Sequence, residues 1–204
     1  MRERIFLLSP ASCGGKRAGL LLNERASFDM AQQIRGASGA QLGDVFGFLS
    51  GLYFRGKLAY ARTFALPTGG LDAVWVITPN RGLVSPDARI GVADLRSFAE
   101  VDIDELDPRY RVPLDRDVQA LAARLPATTD VVLLGSVATG KYCSVLLEWL
   151  NERLLFPKDF VGRGDMSRGG LLLRSAAEGR ELDYIPVAGA VLKGSRPARL
   201  PKRA

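Results

Sequence analysis

Three short segments carry most of the side chains that could do chemistry. Ser12, Cys13, Lys16 and Arg17 follow Pro10 around the pair Gly14-Gly15. Two cations beside hydroxyl and thiol groups could grip a phosphate or a carboxylate, and a nearby cation would lower the pKa of Cys13 and make it a nucleophile. The competing reading is a small buried cysteine next to a solvated Lys-Arg pair. The stretch Asp130-Val-Val-Leu-Leu-Gly-Ser-Val-Ala-Thr-Gly-Lys-Tyr142 runs from a buried-strand pattern into a glycine-bounded turn. Gly135, Gly140 and Lys141 fit Gly-x-x-x-x-Gly-Lys, but Tyr142 stands where a phosphate-binding loop needs a Ser or Thr hydroxyl for magnesium. No later apolar strand ends in the aspartate that would hold that magnesium, which argues against ATP hydrolysis. Ser136, Gly140 and the free N–H groups of a helix start still suit an anion. In the third segment Arg163, Asp165, Ser167 and Arg168 lie among four glycines between Val161 and Gly170. Its flexible backbone reads as a lid whose guanidiniums hold a phosphate or base edge, or as a solvent loop in which Asp165 pairs with an arginine.

The chain has no histidine, so Ser-His-Asp and Cys-His catalysis, facial-triad iron sites and histidine proton shuttling are excluded within it. Acid-base work falls to Asp165, Lys141 and their like. Two cysteines are too few for a disulfide framework, and without histidine the usual zinc sets are lacking, so reduced thiols, a cytoplasmic location, no metal and no cofactor are expected. Asp102, Asp104, Glu105 and Asp107 lack the spacing and central glycine of a calcium loop and read as a solvated acidic face. No apolar run approaches the roughly 20 residues of a membrane span, and the opening Met-Arg-Glu-Arg-Ile-Phe-Leu-Leu-Ser reads as a strand with no export signal. The net charge of +6 is uneven: residues 1–65 carry nine basic and four acidic side chains, residues 94–117 four and eight, residues 162–204 nine and four. Two basic ends around an acidic middle suit a polyanion such as nucleic acid, although basic composition alone can serve solubility.

The elements that would position these residues follow from the apolar pattern. Arg4 to Ser9, Asp72 to Thr78 and Val131 to Leu134 read as strands, and Leu182 to Val187 as an edge strand. Helices are expected over Asp44 to Ala65, divided at Gly51 and Gly56, and over Asp115 to Leu125, Lys141 to Leu155 and Leu171 to Ala177. Ile90 to Leu114, acidic and broken by prolines, reads as a surface excursion. The pattern predicts an α/β three-layer sandwich with a mostly parallel central sheet and helices on both faces, one domain over 1–190, and a basic mobile tail over 191–204. In such sheets ligands lie beyond the carboxyl ends of the strands. That rule brings together the loops 10–17, 78–83 and 135–142, with Thr78 joining Lys16 and Lys141 in a shared electropositive cleft.

The order of motifs resembles that of a widespread, uncharacterised bacterial and phage family. The residues that carry the resemblance are the Ser12-Cys13-Gly-Gly-Lys16-Arg17 loop, Leu52-Tyr53-Phe54-Arg-Gly-Lys-Leu-Ala-Tyr60-Ala61 on a helix, Ile77-Thr-Pro-Asn-Arg-Gly82-Leu83 after a strand, and Leu133-Leu-Gly135 leading to Tyr142. Members open with Cys-Ser-x-x-Lys. The family is distantly similar to the YaaA peroxide-stress DNA-binding proteins, and its Cys-Lys loop to that of archaeosine synthase, a transfer RNA base-modifying enzyme. The resemblance implies a fold like that of uracil-DNA glycosylases and work on nucleobases. Here either Lys16 or Arg17 takes the place of the family lysine, and the histidine those glycosylases use is absent.

The expected function is therefore binding of nucleic acid or a phosphorylated nucleotide at the carboxyl edge of the sheet, with nucleobase modification or DNA protection as its purpose. Any enzyme activity would be a histidine-independent modification of a base or transfer or hydrolysis at an N-glycosyl bond. The alternative is an enzyme or sensor for a free nucleotide or nucleoside that binds no nucleic acid.

Overall fold

The computed structural model describes residues 3–66, 70–138, 140–191, 194–195 and 197–198. Along the chain, β1 (Arg4–Leu8) leads into α1 (Lys16–Leu22) and α2 (Asp29–Arg35), then β2 (Ala40–Gln41), α3 (Leu42–Ser50) and α4 (Leu52–Phe64). Next come β3 (Val74–Ile77), β4 (Leu83–Val84), β5 (Arg89–Ile90), α5 (Val92–Ala99) and α6 (Pro108–Arg124). The chain continues through β6 (Asp130–Leu134), α7 (Gly140–Leu150), β7 (Leu154–Pro157), α8 (Asp165–Glu178) and β8 (Tyr184–Pro186).

Six strands form one sheet in the order β4-β3-β1-β6-β7-β8. β3, β1, β6 and β7 run parallel, and the outer two are antiparallel to their neighbours. β1 lies at the centre, with Arg4 to Leu8 opposite Asp130 to Leu134 on one side and Phe6 to Leu8 opposite Val74 to Val76 on the other. Ile5 to Leu8 and Val131 to Leu134 are fully buried, as strands covered on both faces must be. Helices lie on both faces: α4 packs with α8, and α6 with α7. The Phe6 ring meets Tyr60 of α4 edge to face at 5.8 Å. The buried apolar side chains form one contiguous cluster. The α/β sandwich read from the strand pattern is the fold observed.

Several elements depart from the sequence reading, each for a local reason. Helix α6 begins at Pro108, seven residues before its expected start, because the Asp107 side chain accepts the Arg109 N–H at 2.9 Å and proline suits the first turn. Pro113, five residues farther on, removes a single helical hydrogen bond. The acidic excursion is likewise helical in part, since α5 opens with Gly91 N–H donating to the Asp94 carboxylate at 2.8 Å. Helix α7 stops at Leu150, where Asn151 takes a positive φ of 47°, and Leu154 begins a strand where helix was expected. Gly51 does divide α3 from α4; Gly56 lies inside α4.

The largest change concerns the glycines of 161–170. They form no lid: Asp165 to Gly170 are the first turns of α8. Here glycine serves close helix crossing. A Cβ on Gly169 would sit 2.8 Å from both the Leu52 carbonyl oxygen and the Tyr53 Cα, and one on Gly56 would sit 2.7 Å from the Gly169 carbonyl oxygen. The two backbones touch, so α4 and α8 deliver their side chains to one place. The expected basic tail lies largely outside the described residues.

Candidate functional site

The chain leaves β1 to add β3 on one side, then returns to add β6 and β7 on the other. The connections after β1 and β6 therefore part, and a crevice opens between them at the carboxyl ends. Two adjoining volumes of about 670 and 270 Å³ occupy it, both lined by Pro10, Ala11, Ser12, Lys141, Tyr142 and Asp165. Phe98 and Ala99 at the end of α5, with Val101, Asp102 and Ile103 after it, wall the larger volume; Tyr53 and Ser136 wall the smaller.

Lys57 lies at the base of this site and is 1% exposed. Its ammonium donates to the Ser9 carbonyl at 2.5 Å and the Ser9 hydroxyl at 2.8 Å, and sits over the rings of Tyr53 and Phe54 at 4.5 and 4.9 Å. Burial brings its pKa down to about 7, with the Arg168 charge acting in the same direction and the Asp165 carboxylate opposing. Lys57 thus ties the end of β1 to α4 and fixes the Ser9 hydroxyl. Gly135 is small because Ser9 crowds it: a Cβ there would be 2.9 Å from the Ser9 Cβ.

Tyr53 is 7% exposed, and its hydroxyl oxygen is shielded from solvent without a hydrogen-bond partner. The Arg168 guanidinium acts on it by charge and as a long hydrogen-bonding neighbour, although its Nε and Nη2 are committed to the Phe160 carbonyl at 3.3 and 3.0 Å. Burial raises the Tyr53 phenol pKa to about 12 and also raises that of Tyr142, so both hydroxyls stay protonated at neutral pH. Asp165 faces the cleft with its side chain 69% exposed, 3.6 Å from Arg168 Nη1. The exposed Asp165 carboxylate and the Lys141 ammonium on one lining are a set that a polar ligand could satisfy.

The residues proposed from sequence divide accordingly. Ser12, Ser136, Lys141 and Asp165 line the cleft, and Arg168 lies buried behind it. Cys13 is 5% exposed, donates to the Ala11 carbonyl at 3.5 Å, and has its thiol pKa pushed up to about 12 by burial. It holds little thiolate at neutral pH and is no ready nucleophile. Lys16 is exposed on the first turn of α1 and lines neither volume, while Arg17 turns to the Phe48 carbonyl at 3.0 Å, outside the cleft. Thr78 is buried in its own turn, donating to the Gly82 carbonyl at 3.0 Å and accepting from the Arg81 N–H at 3.1 Å. Arg163 reaches the Ser167 hydroxyl at 3.3 Å and lines neither volume. Loops 10–17 and 135–142 converge as expected. Loop 78–83 does not, and residues 98–103 take its place.

The charge of the site also departs from the expectation. The Glu105 carboxylate accepts from the Ser144 hydroxyl and would lie 3.0 Å from a Cβ on Gly140. The chain's own anion thus occupies the positive end of α7. With Asp102 and Asp165 lining it beside Lys141, the cleft is mixed in sign. In sequence, Tyr53, Phe54, Tyr60 and Phe64 interleaved with Arg55, Lys57 and Arg62 read as base-stacking rings beside phosphate-binding cations or as core. Tyr53, Phe54, Tyr60 and Lys57 are core, and that reading lacks the contact of Lys57 with Tyr53. The available signal was that Tyr53, Lys57 and Tyr60 share the buried stripe of α4, so a cation stood in phase with the apolar face. Tyr142 drew notice only as a defect in a phosphate loop, yet it is a wall of the cleft.

Among the described residues no group of histidine, cysteine, aspartate or glutamate is placed to hold a metal ion, and no helix is long and apolar enough to cross a membrane. Comparison with protein-family models, curated proteins and solved structures gives no match.

Proposed function

We propose that this cleft binds the nucleobase or nucleoside portion of a nucleotide or nucleic acid. The observation that carries the reading is the crevice at the switch point of a mostly parallel sheet, walled by Tyr53 and Tyr142 and carrying the Asp165 carboxylate and the Lys141 ammonium. A base edge offers donors and acceptors side by side, which a carboxylate and an ammonium match. The rings of Tyr53 and Tyr142 add flat apolar surface. Should the bound base be modified, Asp165 and Lys141 are the proton-handling pair.

A second reading, a sensor or enzyme for a free nucleoside, is favoured by the carboxylates around the cleft. Asp102, Glu105 and Asp165 oppose a dense polyanion more than they oppose a neutral nucleoside.

Calorimetric titration with nucleosides and their 5′-monophosphates tests the cleft. Asp165→Asn is expected to weaken binding about tenfold, the scale of losing one hydrogen bond to a charged group. No measurable affinity for any nucleoside or nucleotide at low salt would defeat the reading.

A further inference from the structure

A second depression of about 670 Å³ lies between α1, α3 and α4. Arg17, Arg55 and Arg62 line it, against the single carboxylate of Asp44. Arg17 spends one guanidinium donor on the Phe48 carbonyl, and Arg62 pairs with Asp87 in an exposed contact of the kind that contributes little. Among the described residues Arg55 has no ion pair, and it is exposed. Three cations thus converge on one groove with one anion between them, an arrangement complementary to an anion from outside. They are spread along about two turns of α4, roughly 10 Å, and across to α1, which suits an elongated anion better than a lone phosphate.

Two features narrow the class. Phe48 lines the groove and stacks on Phe28 with ring centroids 5.4 Å apart and planes 17° from parallel, and Phe28 and Leu20 are exposed at 38% and 53%. An open aromatic face beside guanidiniums is how single strands are held, bases on rings and phosphates on cations. Groove and cleft share no lining residue, but their walls are neighbours along the chain: Phe48 and Gly51 line the groove, Leu49 and Ser50 the cleft, and Arg17 lies two residues beyond Gly15 of the cleft.

We infer that the groove holds the backbone of a single-stranded nucleic acid, one of whose bases enters the cleft. The inference rests on the cleft reading for the base and on the arginines for the strand.

Fluorescence anisotropy with a labelled mixed-sequence 12-nucleotide DNA and its RNA counterpart, from 50 to 200 mM salt, tests it, with nucleosides titrated separately. Arg55→Glu is expected to weaken oligonucleotide binding more than tenfold, and Arg55→Ala to lower the slope of log K against log salt by about 0.7, one phosphate contact on a single strand. Arg96→Glu, exposed on α5 outside the groove, measures the effect of net charge alone, and about twofold is expected. Equal losses for Arg55→Glu and Arg96→Glu would overturn the inference. So would oligonucleotides that bind no tighter than mononucleotides, an outcome that leaves the cleft reading standing. Nucleosides without affinity, together with Arg55-dependent oligonucleotide binding, would remove the cleft and keep the groove. Equal, Arg55-dependent binding of a polyglutamate peptide would assign the groove to an acidic protein and overturn it.

Discussion

The stability difference between Lys57→Met and the parent chain is expected to change by about 4 kcal/mol between pH 6.5 and pH 10. The sign follows from burial. Folding lowers the Lys57 pKa from 10.5 to about 7, so between those values the unfolded chain holds a proton that the folded chain has released. Unfolding then takes up a proton, and the parent's stability rises with pH by about 1.4 kcal/mol per unit from this group. The methionine variant lacks that contribution. Its stability relative to the parent is greatest below pH 7 and falls steadily toward pH 10. The neutral amine keeps two N–H donors, enough for both contacts to Ser9, so those bonds persist in the parent after the proton leaves. Urea unfolding of both proteins at unit steps of pH gives the difference directly, because tyrosine and cysteine titrations common to both cancel. A difference constant within about 0.5 kcal/mol across that range would show that Lys57 stays charged in the fold.

Gly169→Val is expected to cost about 3 kcal/mol, the upper end for inserting bulk into a packed contact. The atoms it would meet, the Leu52 carbonyl oxygen and the Tyr53 Cα at 2.8 Å, are backbone and cannot rotate aside. Relief requires α8 to move away from α4, which carries Asp165 away from Tyr53 and widens the cleft. The variant should therefore lose ligand affinity along with stability. Met166→Ala on the exposed side of the same helix, where the side chain is 68% exposed, should stay within about 0.5 kcal/mol of the parent. A urea midpoint for Gly169→Val equal to that of Met166→Ala would contradict the backbone contact.

These two residues also mark where the sequence was legible and where it was not. Ile5 to Leu8 and Val131 to Leu134 announce buried strands by composition, and parallel pairing with a crevice beyond their carboxyl ends follows from general rules. The fold and two of the three converging loops were therefore readable. Lys57 was not, because a cation reads as solvent-facing unless its phase against the apolar stripe is weighed above its charge. Gly169-Gly170 reads as a chain breaker, since the benefit of glycine there depends on a helix more than a hundred residues earlier in sequence. Glu105 reads as one member of an acidic surface run; only tertiary structure brings it to the start of α7. Thr78 sits at the end of a strand as expected, but its hydroxyl serves the turn that follows it.

The central place of β1 bears on how the chain is made. It is synthesised first among the sheet strands, yet both of its ladders wait for segments that emerge much later, Val74 to Val76 and then Asp130 to Leu134. Until residue 134 has left the ribosome, Ile5 to Leu8 lacks its longest ladder, so a nascent chain carries an adhesive apolar segment until β6 emerges. Release from the ribosome before that point should yield insoluble product, whereas a truncation just after β6 should be the first to acquire protease resistance at its amino end.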